Sequence, residues 1–128
     1  MELGNIKIQI SDDSILARKQ LKDILKANGC INIIEAIDGN HTVETYKNEH
    51  PDIVFMDIVM PNIDGVEAVR QIISFDPNAV IIMLSSVGTR AQIKAAIEAG
   101  AKDFIQKPIQ KERILEVLNL NLSLDKLN

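Results

Sequence analysis

Apolar residues change their spacing again and again along this chain. Ile6-Lys7-Ile8-Gln9-Ile10 alternates apolar with polar, as a strand does, and then Ile15, Leu16, Leu21, Ile24 and Leu25 recur at helical spacing until Asn28-Gly29 supplies a stop. The change then repeats. Ile31 to Ala36 reads as a strand before a polar helix from about Asn40 to Asn48, and Ile53-Val54-Phe55-Met56 precedes a helix holding Val66, Ala68, Val69, Ile72 and Ile73. Val80-Ile81-Ile82-Met83-Leu84 leads into a helix over Ala91 to Ala99, and the short strand Asp103-Phe104-Ile105 into a last helix carrying Ile114, Leu115, Val117 and Leu118. The strands at Ile53 to Met56 and Val80 to Leu84 are apolar throughout, as expected when both faces of a parallel sheet are covered. The predicted fold is therefore α/β, a doubly wound five-stranded parallel sheet with helices on both faces. Right-handed crossovers and short connections favour the flavodoxin-like order 2-1-3-4-5, although periodicity by itself fits other orders too.

Composition narrows the class. At 128 residues the chain suits one domain, with a core over about residues 5–120 and a tail at 121–128 expected to be a fraying helix end. It is 46% apolar and 25% charged, close to the soluble globular average. No apolar run approaches the roughly 18 residues of a membrane span, and the N-terminus has no basic region followed by a hydrophobic stretch. A cytoplasmic protein without membrane insertion is expected. The lone Cys30 has no partner for a disulfide or a thiolate metal site, so it reads as a small buried apolar residue. The net charge of −4, with no Trp, one Tyr and three Phe, offers neither a basic stripe nor an aromatic ladder, which argues against direct nucleic-acid binding.

Ligands of open α/β sheets bind outside the carboxyl ends of the strands. Here the first strand ends in Asp12-Asp13, the third in Asp57, the fourth in Ser85-Ser86 and the fifth in Lys107-Pro108, whereas the second is followed only by Asp38-Gly39. Three crowded carboxylates repel, and a divalent cation is the simplest way to neutralise them. Hard oxygen donors with no His or Cys nearby point to Mg²⁺ or a similar ion that accepts a phosphate oxygen. Lys107 would add a compact positive charge, and Ser85 a hydroxyl, for the same phosphate.

Each residue also has a plainer reading. Asp13 or Ser14 could cap the first helix, Asp57 could form a turn before Met60-Pro61, Ser85 could be an ordinary loop residue, and Lys107 a solvated charge. Four strand tips carrying complementary members of one site tip the balance toward a phosphoryl site.

The residues Ser11-Asp12-Asp13-Ser14, Pro51-Asp52-Ile53-Val54-Phe55-Met56-Asp57-Ile58-Val59-Met60-Pro61, Asp64-Gly65, Ser85, Gly100-Ala101-Lys102-Asp103-Phe104-Ile105 and Lys107-Pro108 resemble, in spacing and order, the receiver domain of bacterial two-component response regulators. The resemblance covers essentially the whole chain. It implies that Asp57 is the phosphoacceptor, that Asp13, Asp57 and the backbone carbonyl of Val59 bind Mg²⁺, that Asp12 acts through a metal-bound water, and that Ser85 and Lys107 hold the phosphoryl group. It implies a phosphohistidine donor on a sensor histidine kinase or phosphotransfer protein. Phe104 falls at the aromatic switch position, with a plain core phenylalanine as the competing reading, and Lys107-Pro108 is expected to be a cis peptide. Two departures stand out. Ser11 replaces a usually apolar residue, and Val59 and Val87 occupy positions where polar side chains in relatives help to place a hydrolytic water. Slow unaided dephosphorylation is the expectation.

With no effector domain in these residues, output should be a binding event on the face formed by the last two helices and last strand. The stretch from Ser85 to Ile105 is most similar to single-domain chemotaxis regulators that act on the flagellar motor switch. A signalling protein that catalyses its own phosphoryl transfer and autodephosphorylation, rather than an enzyme with a separate substrate, is expected, as a monomer or a weak phosphorylation-dependent dimer. Other readings are a phosphorelay intermediate, the receiver of a transcriptional regulator, and a haloacid-dehalogenase-type phosphatase. The last would carry its general acid two residues after the nucleophile, where Val59 stands.

Overall fold

Each apolar segment becomes an element of the computed structural model, which describes residues 2–86 and 88–122. A 3₁₀ turn at Leu3–Asn5, which periodicity did not anticipate, precedes β1 (Lys7–Ser11), α1 (Ile15–Ala27), β2 (Asn32–Ala36), α2 (Gly39–Glu49) and β3 (Ile53–Asp57). Then come α3 (Gly65–Phe75), β4 (Ile81–Ser85), α4 (Arg90–Ala99), β5 (Asp103–Gln106) and α5 (Lys111–Asn121). All strands are parallel, in the order β2-β1-β3-β4-β5. The expected doubly wound fold is what forms. β1, β4 and β5 each end one residue later than their apolar runs, at Ser11, Ser85 and Gln106, so Ser85 belongs to a strand rather than a loop. Of the expected tail, Asn121 closes α5, and 123–128 lie outside the described residues, as does Val87.

Side chains leave a strand on alternate faces, and here each face has its own core. Ile8, Ile10, Phe55, Ile82 and Leu84 bury against Leu21 and Leu25 of α1 and Ile114, Val117 and Leu118 of α5. On the other face Val54, Met56, Ile81 and Met83 meet Val43 and Tyr46 of α2, Val69 and Ile72 of α3 and Ala96 of α4. Burying one such aliphatic side chain is worth about 1.5–3 kcal/mol, and the two cores share the central strands.

Alternation in β1 would ordinarily mean a half-solvated strand, yet Gln9 is fully buried. Its carboxamide donates to Ser11 Oγ at 3.1 Å and to the Thr42 carbonyl of α2 at 3.0 Å. Ser11, out of place as an apolar substitute, is thus the acceptor of a buried polar pair. Side-chain caps start three helices beside the carboxyl ends of the strands: Ser14, Asp38 and Asp64 accept from the N–H groups of Ala17, His41 and Glu67.

Ile82→Ala, at a fully buried site on β4, is expected to cost about 2–5 kcal/mol. Ile37→Ala, at a site 52% exposed, should stay within about 0.5 kcal/mol of the parent in the same urea titration.

Candidate functional site

Helix α1 lies on one face of the sheet and α2 on the other, so the chain leaves the neighbouring strands β1 and β3 toward opposite sides. The gap between those departures is the crevice at the point where strand order reverses. Asp12 and Asp13 follow β1 directly and Asp57 is the last residue of β3. One carboxylate oxygen from each of the three lies within 4.8 Å of the others.

The three acids are not equivalent. Asp12 is buried, with Oδ1 accepting the Ser14 N–H at 2.9 Å and Oδ2 facing Lys107 Nζ at 3.2 Å. Its backbone is held too, by its own N–H to the Ala36 carbonyl at 3.1 Å and by Arg18 donating to its carbonyl at 2.7 Å. The capping role that could have fallen to Asp13 is filled by Ser14, which leaves Asp13 exposed at the mouth. Asp57 is largely buried, with Lys107 Nζ 3.6 Å from Oδ2. Lys107 reaches both carboxylates from just beyond β5, and the Lys107–Pro108 peptide is cis, as expected.

Burial and, next, the charge of Asp12 push the Asp57 carboxyl above the ordinary aspartate range, while Lys107 and the N–H groups of Val59 and Ile58 pull it down. One ammonium facing three carboxylates leaves the crevice short of positive charge. All-oxygen donors at this spacing fit a hard divalent cation such as Mg²⁺, with the Val59 carbonyl available two residues beyond Asp57.

At the end of β4, Ser85 Oγ donates to the Ile105 carbonyl over a long 3.5 Å. Phe104 is 41% exposed, so it is no core phenylalanine. Its backbone is nonetheless fixed: Arg113 of α5 donates to the Phe104 carbonyl at 2.7 Å and to Asp103 Oδ1 at 2.9 Å. A cavity of about 330 Å³ opens between Ser85, Thr89, Ile93, Phe104 and Gln106.

Sequence reasoning missed Arg18. Its guanidinium bridges the Asp12 carbonyl and Glu35 of β2, at 2.7 and 3.0 Å, and Lys22, one turn on, also reaches Glu35 at 3.0 Å. Those bonds, that of Lys22 foremost, hold Glu35 below the usual carboxylate range. Two cations one turn apart on α1 were the available signal, but their target on another strand needed the fold.

The family described as the response regulator receiver domain matches residues 8–119. The chemotaxis protein CheY of Bacillus subtilis is 46% identical over 117 residues, which is 91% of this chain and 98% of that protein. CheY of Thermotoga maritima is 47% identical over 113 residues, covering 88% and 94% of the two chains. Among solved structures, the CheX–CheY–BeF3–Mg²⁺ complex of Borrelia burgdorferi superposes with a TM-score of 0.84 at 36% identity, over 92% of this chain and 90% of that one.

The raised carboxyl of Asp57 sets a sign for stability. The folded chain binds that proton more tightly than the unfolded one, so stability falls as pH rises from the ordinary carboxylate range through the raised value, and stays lower above it. In metal-free buffer near neutral pH, Asp57→Asn should therefore melt a few degrees higher than the parent, with the gap closing as pH falls. Millimolar Mg²⁺ should narrow the gap by stabilising the parent. Identical melting temperatures at every pH would contradict this account of the crevice.

Proposed function

Because the chain belongs to the response regulator receiver domain family, we propose that it is a phosphorylation-activated switch that takes a phosphoryl group on Asp57 and signals by binding a protein target. The donor is a phosphohistidine on a sensor histidine kinase or phosphotransfer protein. Kinship with chemotaxis CheY proteins along nearly their whole length supports chemotaxis, with the flagellar motor switch as target. The observation that carries the reading is the meeting of Asp12, Asp13, Asp57 and Lys107 in one crevice.

In the transfer, an Asp57 carboxylate oxygen attacks phosphorus in line, the P–N bond to the donor histidine breaks, and the histidine leaves with that electron pair. Mg²⁺ held by Asp13, Asp57 and the Val59 carbonyl offsets negative charge on the phosphoryl oxygens. Asp12, both of whose oxygens are already engaged, fits a supporting position behind those ligands. Lys107, poised between Asp12 and Asp57, pairs with a phosphoryl oxygen once the group arrives. Ser85 gives up its long bond to Ile105 for another phosphoryl oxygen, and the Phe104 ring moves into the cavity beside it. A phenylalanine has no hydroxyl, so the two ring positions differ by burial and contact alone.

Val59 is 60% exposed at the mouth and can neither donate nor accept a proton there, which suits a stable acyl phosphate and not turnover of phosphate monoesters. Acetyl phosphate with Mg²⁺ should add one phosphoryl group to the parent by intact mass and none to Asp57→Asn. An unmodified parent would sink the assignment. After donor removal the phosphorylated form should decay over minutes or longer, and Val59→Asn should shorten that several-fold. Decay of the parent within seconds would contradict the role given to Val59.

A further inference from the structure

The tip of β2 supplies nothing to the phosphoryl site, yet its Gly39 makes the tightest backbone approach of any glycine among the described residues. Asp38 caps α2 by accepting the His41 N–H at 2.8 Å, which aims the first turn of α2 at the loop between β3 and α3. Gly39 N–H donates to the Pro61 carbonyl of that loop at 3.2 Å. A Cβ on Gly39 would stand 2.1 Å from the Ile63 carbonyl oxygen and 2.4 Å from Ile63 Cγ1. Glycine is required here by space.

The loop it touches is the one that carries Val59, and it is held in a shape the chain would not choose alone. Asn62 sits at φ 73°, in the left-handed region. Ile58 N–H donates to the Leu84 carbonyl of β4 at 3.1 Å, and Gly65 N–H returns to the Ile58 carbonyl at 2.9 Å. Those bonds anchor the base of the loop, and α2 braces its crest at Pro61 and Ile63. Val59 lies between base and crest.

We infer that Gly39 is a positioning residue for the acidic site: by letting α2 abut the loop backbone, it fixes the Val59 carbonyl against Asp57 and so sets divalent-cation affinity from an element that supplies no ligand. This rests on the reading that the Val59 carbonyl joins Asp13 and Asp57 in holding the ion. Supporting contacts of this kind typically change metal affinity by about 10–100-fold when lost.

The test is a calorimetric Mg²⁺ titration of the parent, Gly39→Ala and Gly29→Ala. Gly29, at φ 97° with nothing within 4 Å of its notional Cβ, follows α1 at the opposite end of the sheet. Alanine there strains backbone without touching the loop. Gly39→Ala should bind Mg²⁺ at least about tenfold more weakly, while Gly29→Ala melts lower but keeps the parent's affinity. In the parent, Mg²⁺ should slow amide hydrogen exchange at Gly39, a readout that stands even if Gly39→Ala does not fold. Equal affinity for Gly39→Ala and parent, an equal loss in both variants, or a Gly39 amide indifferent to Mg²⁺ would overturn the inference. A parent that fails to bind Mg²⁺ would overturn the reading of the ligands beneath it, and the inference with it.

Discussion

Like charge held at close quarters is the constraint that organises this molecule. Three carboxylate oxygens within 4.8 Å would separate in an open chain, and here the sheet keeps them together. Two of the acids sit at the ends of adjacent strands whose other residues lie in fully apolar cores, so moving Asp57 away from Asp12 would mean shifting β3 in its register against β1. That register is fixed by alternation, since a slip by one residue would exchange the two faces of the strand. The stored repulsion is a reason for the crevice to welcome a cation and then a phosphoryl group beside it.

Relief of that repulsion is only partial, and comes from side chains that arrive from far along the chain. Lys107 approaches from beyond β5, and Arg18 and Glu35 brace the backbone of Asp12 from α1 and β2. Because Asp12 has both oxygens engaged and its backbone bonded on each side, it behaves as part of the frame. Asp13 and Asp57 keep the freedom to meet a ligand.

The fold was legible because its signal is local: each helix and strand carries its own apolar period, and crossover handedness then leaves few arrangements. Asp57, Ser85 and Lys107 were legible for a related reason, since each stands at the end of an apolar run and polar groups there need a purpose. What the sequence hid was everything settled between elements. Gln9 looked solvent-facing because alternation cannot say which face is covered, and only Thr42 on α2 explains its burial. Arg18 and Gly39 have ordinary local surroundings, and their importance lies in what stands opposite. Asp38-Gly39 read as a bare turn, since a clash that glycine avoids exists only once α2 and the β3–α3 loop are brought together.

Arg113 ties the backbone of Phe104 to α5 while leaving its ring exposed. With the main chain clamped, a change of ring position reduces to rotation about side-chain bonds, which for exposed residues takes picoseconds to nanoseconds, whereas rearranging a loop takes far longer. The read-out is therefore never the slow step. The tempo of any signal passing through this protein is set by how fast Asp57 gains and loses its phosphoryl group, so the acyl phosphate serves as the clock and the ring merely as its hand.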